Sequence, residues 1–151
     1  MRLAFLIAFC LPVFGEAPPA ASTVTKAPGD PVTLSLNANS QPSRAPVTLS
    51  WVVVFPAQLM DLQEDAIELG PKVKDSGKSL KCTPSNMYTY ACTLSGGLKP
   101  IPDGLVAAFH FKIKPTAEPK KTSLRIEKAQ AKMADSTSYP LNNTEVTVII
   151  K

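Results

Sequence analysis

From Leu105 to Lys114 the chain alternates: Leu105, Ala107, Phe109, Phe111 and Ile113 fall on one side, Val106, Ala108, His110, Lys112 and Lys114 on the other. A period of two predicts a half-buried strand, and "IPDG" ahead of it supplies the turn that launches it. "PVTLSLNAN" repeats the pattern, with Val32, Leu34 and Leu36 opposed to Thr33, Ser35 and Asn37. "VTLSWVVVF", residues 47–55, is apolar on both faces toward its end, which predicts a central strand covered on both sides with Trp51 in the core.

Shorter or weaker signals fill the intervals. "STVTK" at 22–26 is β-prone and can form an edge strand. In "PAQLMDLQEDAIELGP" Leu59, Leu62, Ala66 and Leu69 recur at helical spacing, whereas Ile67 and Leu69 alternate. A continuous helix would set Asp61 near Asp65 and Glu64 near Glu68, so a short helical turn after Pro56 followed by a strand is favoured. Residues 82–92 read as two strands joined at "TPSN", "SLRIEKAQAKMA" as a weaker strand, "DSTSYPLNN" as a loop and "TEVTVIIK" as the last strand. About nine strands, Pro- and Gly-rich turns and no convincing long helix predict an all-β sandwich.

The first residues carry a different pattern. Arg2 precedes an apolar run from Leu3 to Phe14 and a small-residue exit, the signature of a secretory signal peptide cleaved near Gly15. The run is short of the roughly 20 apolar residues that a membrane span needs, so no stable membrane insertion is expected. Phe9 is too bulky to precede a lipidated Cys10, which therefore leaves with the signal. The expected organisation is a signal peptide over 1–15, a flexible Pro- and Ala-rich tether over 16–21 and one domain over 22–151.

Loss of Arg2 lowers the formal net charge from +4 to +3. The lysines are scattered through turn and outward positions, a solvated surface rather than a nucleic-acid footprint. In a secreted chain the surviving pair, Cys82 and Cys92, reads as one disulfide, because two more soft ligands would be needed for a metal. No cofactor is implied.

Candidate chemistry is sparse. His110 is the one histidine; alternation places it outward with Lys112 and Lys114, and no motif supplies it with a nucleophile, so no catalytic residue is assigned. Asp61, Glu64, Asp65 and Glu68 lack the loop glycine and alternating oxygen donors of a calcium site. Tyr88 and Tyr90 share a face with Cys92 and Leu94; outward they would make a stacking platform for sugar or peptide, inward they are core, and the disulfide on their side favours core. Asn142-Asn143-Thr144 fits the N-glycosylation pattern and reads as a turn.

The order of these motifs resembles the cohesin family. "APGDPVTLSLNAN" resembles a cohesin opening, "LSWVVVFPAQLMDL" the third strand with its proline turn, "IPDGLVAAFHFKIKPTA" the Gly-started strand, and "SLRIEKAQAKMADSTSYPLNNTEVTVII" the closing pair. The resemblance covers residues 22–150. It implies a nine-stranded jelly-roll sandwich, kin in fold to certain cellulose-binding modules, that binds a dockerin module through a sheet face and is not an enzyme. Phe55 stands where cohesins usually carry an aspartate, and the disulfide hairpin is foreign to the pattern; the recognition face of cohesins varies too much for residue-by-residue transfer, so no family site residue is carried over. The expectation is a secreted, periplasmic or cell-surface binding module whose partner is an extracellular protein. A polysaccharide ligand, or a structural or adhesive role in a surface or secretion assembly, stays open. His110, Lys112, Lys114, Tyr88 and Tyr90 are its candidate binding face.

Overall fold

The computed structural model describes residues 20–39 and 44–151. The expected signal peptide and most of the tether lie outside the described residues. Ten strands and one short helix follow in chain order: β1 (Ala20–Lys26), β2 (Pro31–Ala38), β3 (Thr48–Val54), β4 (Met60–Leu69), α1 (Pro71–Asp75), β5 (Ser79–Asn86), β6 (Thr89–Ser95), β7 (Gly104–Ile113), β8 (Lys120–Lys132), β9 (Ser138–Pro140) and β10 (Thr144–Ile150). They form a jelly-roll sandwich. The larger sheet has the order β1-β10-β8-β3-β6-β5 with β9 beside β8, and the smaller has the order β2-β7-β4.

The chain changes sheets where its turn chemistry permits. β1 pairs in parallel with β10, then Ala27 to Asp30 carries the chain to β2 in the opposite sheet. Asp30 Oδ2 accepts the Ala27 N–H at 2.9 Å, and Gly29 has a φ of 88°, a left-handed value that a side chain would strain. The Gly29 N–H and the Asp30 carbonyl then bond to Ile113, which pins the crossover to β7.

Alternation sets the core. Val32, Leu34 and Leu36 of β2 and Phe109, Phe111 and Ile113 of β7 face Leu49, Trp51 and Val53 of β3, Leu124 and Ile126 of β8, and Val146, Val148 and Ile150 of β10. Trp51 and Phe109 meet edge to face, and Phe55 packs against both Phe111 and Tyr90.

Several sequence expectations shift. β3 lies inside its sheet as expected, yet it is covered on one face: Ser50, Val52 and Val54 are half-buried on the outer side. The hairpin between the cysteines turns at Met87-Tyr88, two residues beyond "TPSN". Asn86 Oδ1 accepts the Tyr88 N–H at 2.8 Å, a side-chain-stabilised turn, while Pro84 is absorbed within the edge strand β5, in register with Tyr90. In β7 a bulge disturbs the alternation. Leu36 and Asn37 are successive in β2 but pair with Ala107 and Leu105, so Val106 is the extra residue and is buried, whereas Leu105 is half-buried. Ala108 is small enough to be covered although its neighbours in register, Ser35 and Glu68, belong to the outer face.

The charged stretch before β5 hides a helix that periodicity could not show. α1 has Pro71 at its start, buries Val73 and ends at Ser76 and Gly77. It packs on β7, where Gly70 lies so close to the Leu105 carbonyl that a Cβ would sit 1.7 Å from the oxygen. Lys78, expected in solvent, is 5% exposed. Its ammonium donates to the Val47 carbonyl at 2.8 Å and the Gly97 carbonyl at 3.4 Å, bridging two connections at one end of the sandwich. Within the expected loop "DSTSYPLNN", β9 adds a three-residue strand to the edge of β8. Ala20 and Ala21, expected in the tether, open β1.

Candidate protein-binding faces

Two sheet faces point outward, and their chemistry differs. On the smaller sheet His110 stands between two partners: Nδ1 lies 3.0 Å from the Thr33 hydroxyl and Nε2 lies 3.2 Å from Glu68 Oε2. A hydroxyl, an imidazole and a carboxylate in line have the connectivity of a nucleophilic relay. Here, however, the Glu68 side chain is 70% exposed, on an open face that does not exclude water, which weakens every electrostatic term in such a relay. Lys114 donates to the Ala57 carbonyl at 2.7 Å and lies 3.4 Å from Asp61 Oδ1. Lys112 is exposed, in register with Pro31 and Asp61. The charges of this face are thus largely satisfied by one another.

The acidic residues of β4 follow the same logic. Asp61 and Glu68 sit at the two ends of an edge strand whose middle, residues 63–66, bulges away from β7. Among the described residues no group of three or more His, Cys, Asp or Glu is placed to hold a metal ion.

The outer face of the larger sheet is nearly neutral at its centre. Ser50, Val52 and Val54 of β3 stand beside Thr93, Ala91 and Thr89 of β6, and on their other flank beside Gln130, Glu127 and Arg125 of β8. Thr83 and Lys81 of β5 extend the rows. Arg125 and Glu127 pair at 3.0 Å on one border. Short and β-branched side chains leave this face low, and among the described residues no element packs over it. A positive φ at Lys128 accompanies the slip between β3 and β8 that brings Glu127 opposite Val52. This face went unread in the sequence. The signal was in "SWVVVF", whose outward valines were explained by a second covering layer that the fold lacks.

The two tyrosines part company. Tyr90 points inward and stacks on Phe55 at 5.9 Å, whereas Tyr88 occupies the hairpin turn and is 45% exposed beside Met87. They do not form a joint platform, and neither adjoins His110: they belong to the larger sheet's hairpin, His110 to the smaller sheet. Cys82 and Cys92 are disulfide-bonded across β5 and β6, as the spacing implied.

One cleft opens at the end of the sandwich, about 290 Å³, lined by Asn37, Asn39, Tyr139, Leu141, Asn142 and Asn143 among others. The Tyr139 ring is occupied by Arg44, whose guanidinium lies 5.3 Å from the ring centre, and its hydroxyl donates to the Arg44 carbonyl. Asn142 and Asn143 are exposed in the connection to β10, the turn the sequence implied. Among the described residues no helix is long and apolar enough to cross a membrane.

No family model matches the sequence, and no curated protein matches it. Solved structures do. The sixth cohesin of scaffoldin B from Acetivibrio cellulolyticus, solved in complex with a dockerin, superposes with a TM-score of 0.70 at 16% identity, over 88% of this chain and 98% of its own. A type I cohesin of OlpA from Clostridium thermocellum, also in a cohesin–dockerin complex, gives 0.70 at 18% identity over 86% and 95%. A non-cellulosomal cohesin from the archaeon Archaeoglobus fulgidus gives 0.63 at 12% identity over 88% and 90%. At these identities the likeness speaks for the fold, and it extends over almost the whole of each neighbour. The described chain is a cohesin-like domain in fold, a jelly-roll β-sandwich.

Proposed function

We propose that this domain is a secreted, non-catalytic protein-recognition module whose docking surface is the outer face of the larger sheet. The observation that carries the reading is the uncovered row of Val52 and Val54 beside Ala91, flanked by threonines and bordered by the Arg125–Glu127 pair. A neutral centre with a charged border is how protein interfaces are built: the centre loses little on desolvation and the border sets orientation. The likeness to cohesins solved with dockerins supports a partner of the dockerin kind. The disulfide suits an oxidising compartment, in line with the signal peptide read from residues 1–15.

The test is titration calorimetry of the mature domain against dockerin-type modules encoded in the source genome. Binding by the unaltered domain should fall about a hundredfold or more in Val52→Arg and Ala91→Arg, since a charge placed in the desolvated centre of an interface costs several kcal/mol. If those variants bind normally while reversal of Lys112 and Lys114 abolishes binding, the docking surface is the smaller sheet's face around His110. If none of the modules binds, the dockerin-type partner is lost. Retention on insoluble glycans, abolished by Tyr88→Ala, would replace the protein partner with a polysaccharide.

A further inference from the structure

Among the described residues β4 hydrogen-bonds to β7 alone and β5 to β6 alone, so each sheet ends in a strand with one edge unpaired by any described strand. Both edges border one opening, about 380 Å³, lined by Ile67, Leu69, Leu80, Lys81 and Cys82. Ile67 and Leu69 are in register with Phe109 and Ala107, and Leu80 and Cys82 with Leu94 and Cys92, all of them buried; the four lining side chains therefore point into the sandwich from its two rims. They are half-buried and pack against the core, so the opening reaches apolar depth.

The backbone of β5 adds the second requirement. Cys82 and Cys92 face each other with their Cα atoms 4.1 Å apart, the close spacing of a non-hydrogen-bonded antiparallel pair. The N–H and C=O groups of Cys82, and by alternation those of Leu80, consequently point away from β6 and into the opening. Lys81, between them, is exposed on the outer face of the sheet. Pro84 has no N–H to offer and ends the template. The disulfide ties β5 to β6.

We propose that this seam accepts an extended peptide segment of a partner protein as an added strand on β5. Its alternate residues are apolar and enter between Ile67, Leu69 and Leu80, and its outward residues include a carboxylate. An extended segment suits the site because the Leu80 and Cys82 backbone groups, left unpaired by β6, are a template for another strand. The carboxylate follows from charge: Lys81 flanks the template, and Lys74 of α1 lines the adjoining hollow above Ile67 and Leu69, where Glu68 is the single acidic side chain. The apolar lining of the seam is separate from the outer-face row of Val52, and Lys81 alone borders both, so Ile67→Lys/Leu69→Lys and Val52→Arg test the two binding modes independently.

The experiment pans a phage library of random peptides of about twelve residues on the mature, oxidised domain, with counter-selection on Ile67→Lys/Leu69→Lys. The enriched sequence should alternate apolar residues with at least one acid among the intervening positions. When it is synthesised and added to the domain, amide exchange should slow at Leu80 and Cys82. Because the counter-selection variant alters half-buried residues, the exposed substitution Lys81→Glu gives an independent reading: it should weaken the peptide about fivefold without changing the domain's spectrum. No enrichment, a helical spacing of the apolar residues, or protection confined to other strands would overturn the proposal. So would concentration-dependent dimerisation that Leu80→Lys abolishes, which would make a second copy of the chain the occupant.

Discussion

Trp51 of β3 and Phe109 of β7 meet edge to face, ring centroids 6.4 Å apart and planes at 81°, across the space between the two sheets. Each is buried, at 2% and 0% exposure, and each sits near the middle of its strand. The pair joins the two layers through their shared apolar interior. Phe109→Ala should lower unfolding free energy by about 3–5 kcal/mol, the range for truncating a buried aromatic with partial collapse of the cavity. Urea denaturation followed by the fluorescence of Trp51, the one tryptophan, measures it. A loss under about 1 kcal/mol would mean that the sheets are held together elsewhere.

Gly70 ends β4 and leads into α1 with an ordinary backbone conformation, φ −58° and ψ 144°. Its need for glycine is purely one of space, because a Cβ would lie 1.7 Å from the Leu105 carbonyl oxygen and 2.6 Å from the carbonyl carbon. Gly70→Ala should therefore push α1 off β7, break the bond from the Gly70 N–H to the Val106 carbonyl and cost about 2–3 kcal/mol. Gly97→Ala is the contrast: its φ is 62° with nothing near its Cβ, so its loss should come from backbone strain alone, about 1 kcal/mol. Thermal unfolding of the two variants should rank them in that order.

What could be read from the chain before its fold follows from the same distinction. Alternation announced β2 and β7 because a two-layer sandwich buries one side of each strand, and the burial of Val32, Leu34, Leu36, Phe109, Phe111 and Ile113 repeats the written pattern. The Cys82–Cys92 bridge was legible as an isolated pair in a chain expected to be secreted. What alternation cannot carry is a bulge. Val106 turns inward because β7 holds one residue more than β2, a fact of pairing between segments about 70 residues apart. Nor can it tell a second covering layer from an exposed apolar face: Val52 and Val54 look the same in both cases, and only the sheet order leaves them bare. Lys78 was misplaced for a related reason. Its burial depends on the carbonyls of Val47 and Gly97, which come from distant turns.

Cys82 and Cys92 close a loop with a sequence separation of 10. Reduction frees β5, an edge strand held to β6 along one side, and should lower stability by about 2–3 kcal/mol through the larger entropy of the open unfolded chain. The melting temperature should fall when a reductant is added. Cys82→Ala/Cys92→Ala should melt at the lowered temperature with or without it. Equal melting of the oxidised and reduced forms would mean that the bridge does not constrain the unfolded chain as the entropic account requires.

Lys78 makes its prediction through pH. Burial pushes its ammonium below the ordinary lysine value of 10.5, because the charged form has left water. The two carbonyls it donates to offset part of that cost. At neutral pH both the folded and the unfolded chain hold the proton, and the fold carries the part of the desolvation cost that the two carbonyls leave. As pH rises through the lowered folded value toward 10.5, the folded chain releases its proton first. The unfolded chain then binds more protons, and the contribution of Lys78 to unfolding free energy climbs with pH, the reverse of a lysine raised by an ion pair. Lys78→Met removes the titration while keeping the length of the side chain. At neutral pH it should cost about 1 kcal/mol, since the Val47 carbonyl loses a charged donor while the desolvation penalty disappears. The gap between wild type and variant should then widen on the alkaline side, because only the wild type gains. Denaturant unfolding of both proteins at matched pH cancels the titration of the exposed lysines and tyrosines. Parallel curves up to 10.5 would show that the ammonium reaches water and that its burial has no electrostatic consequence.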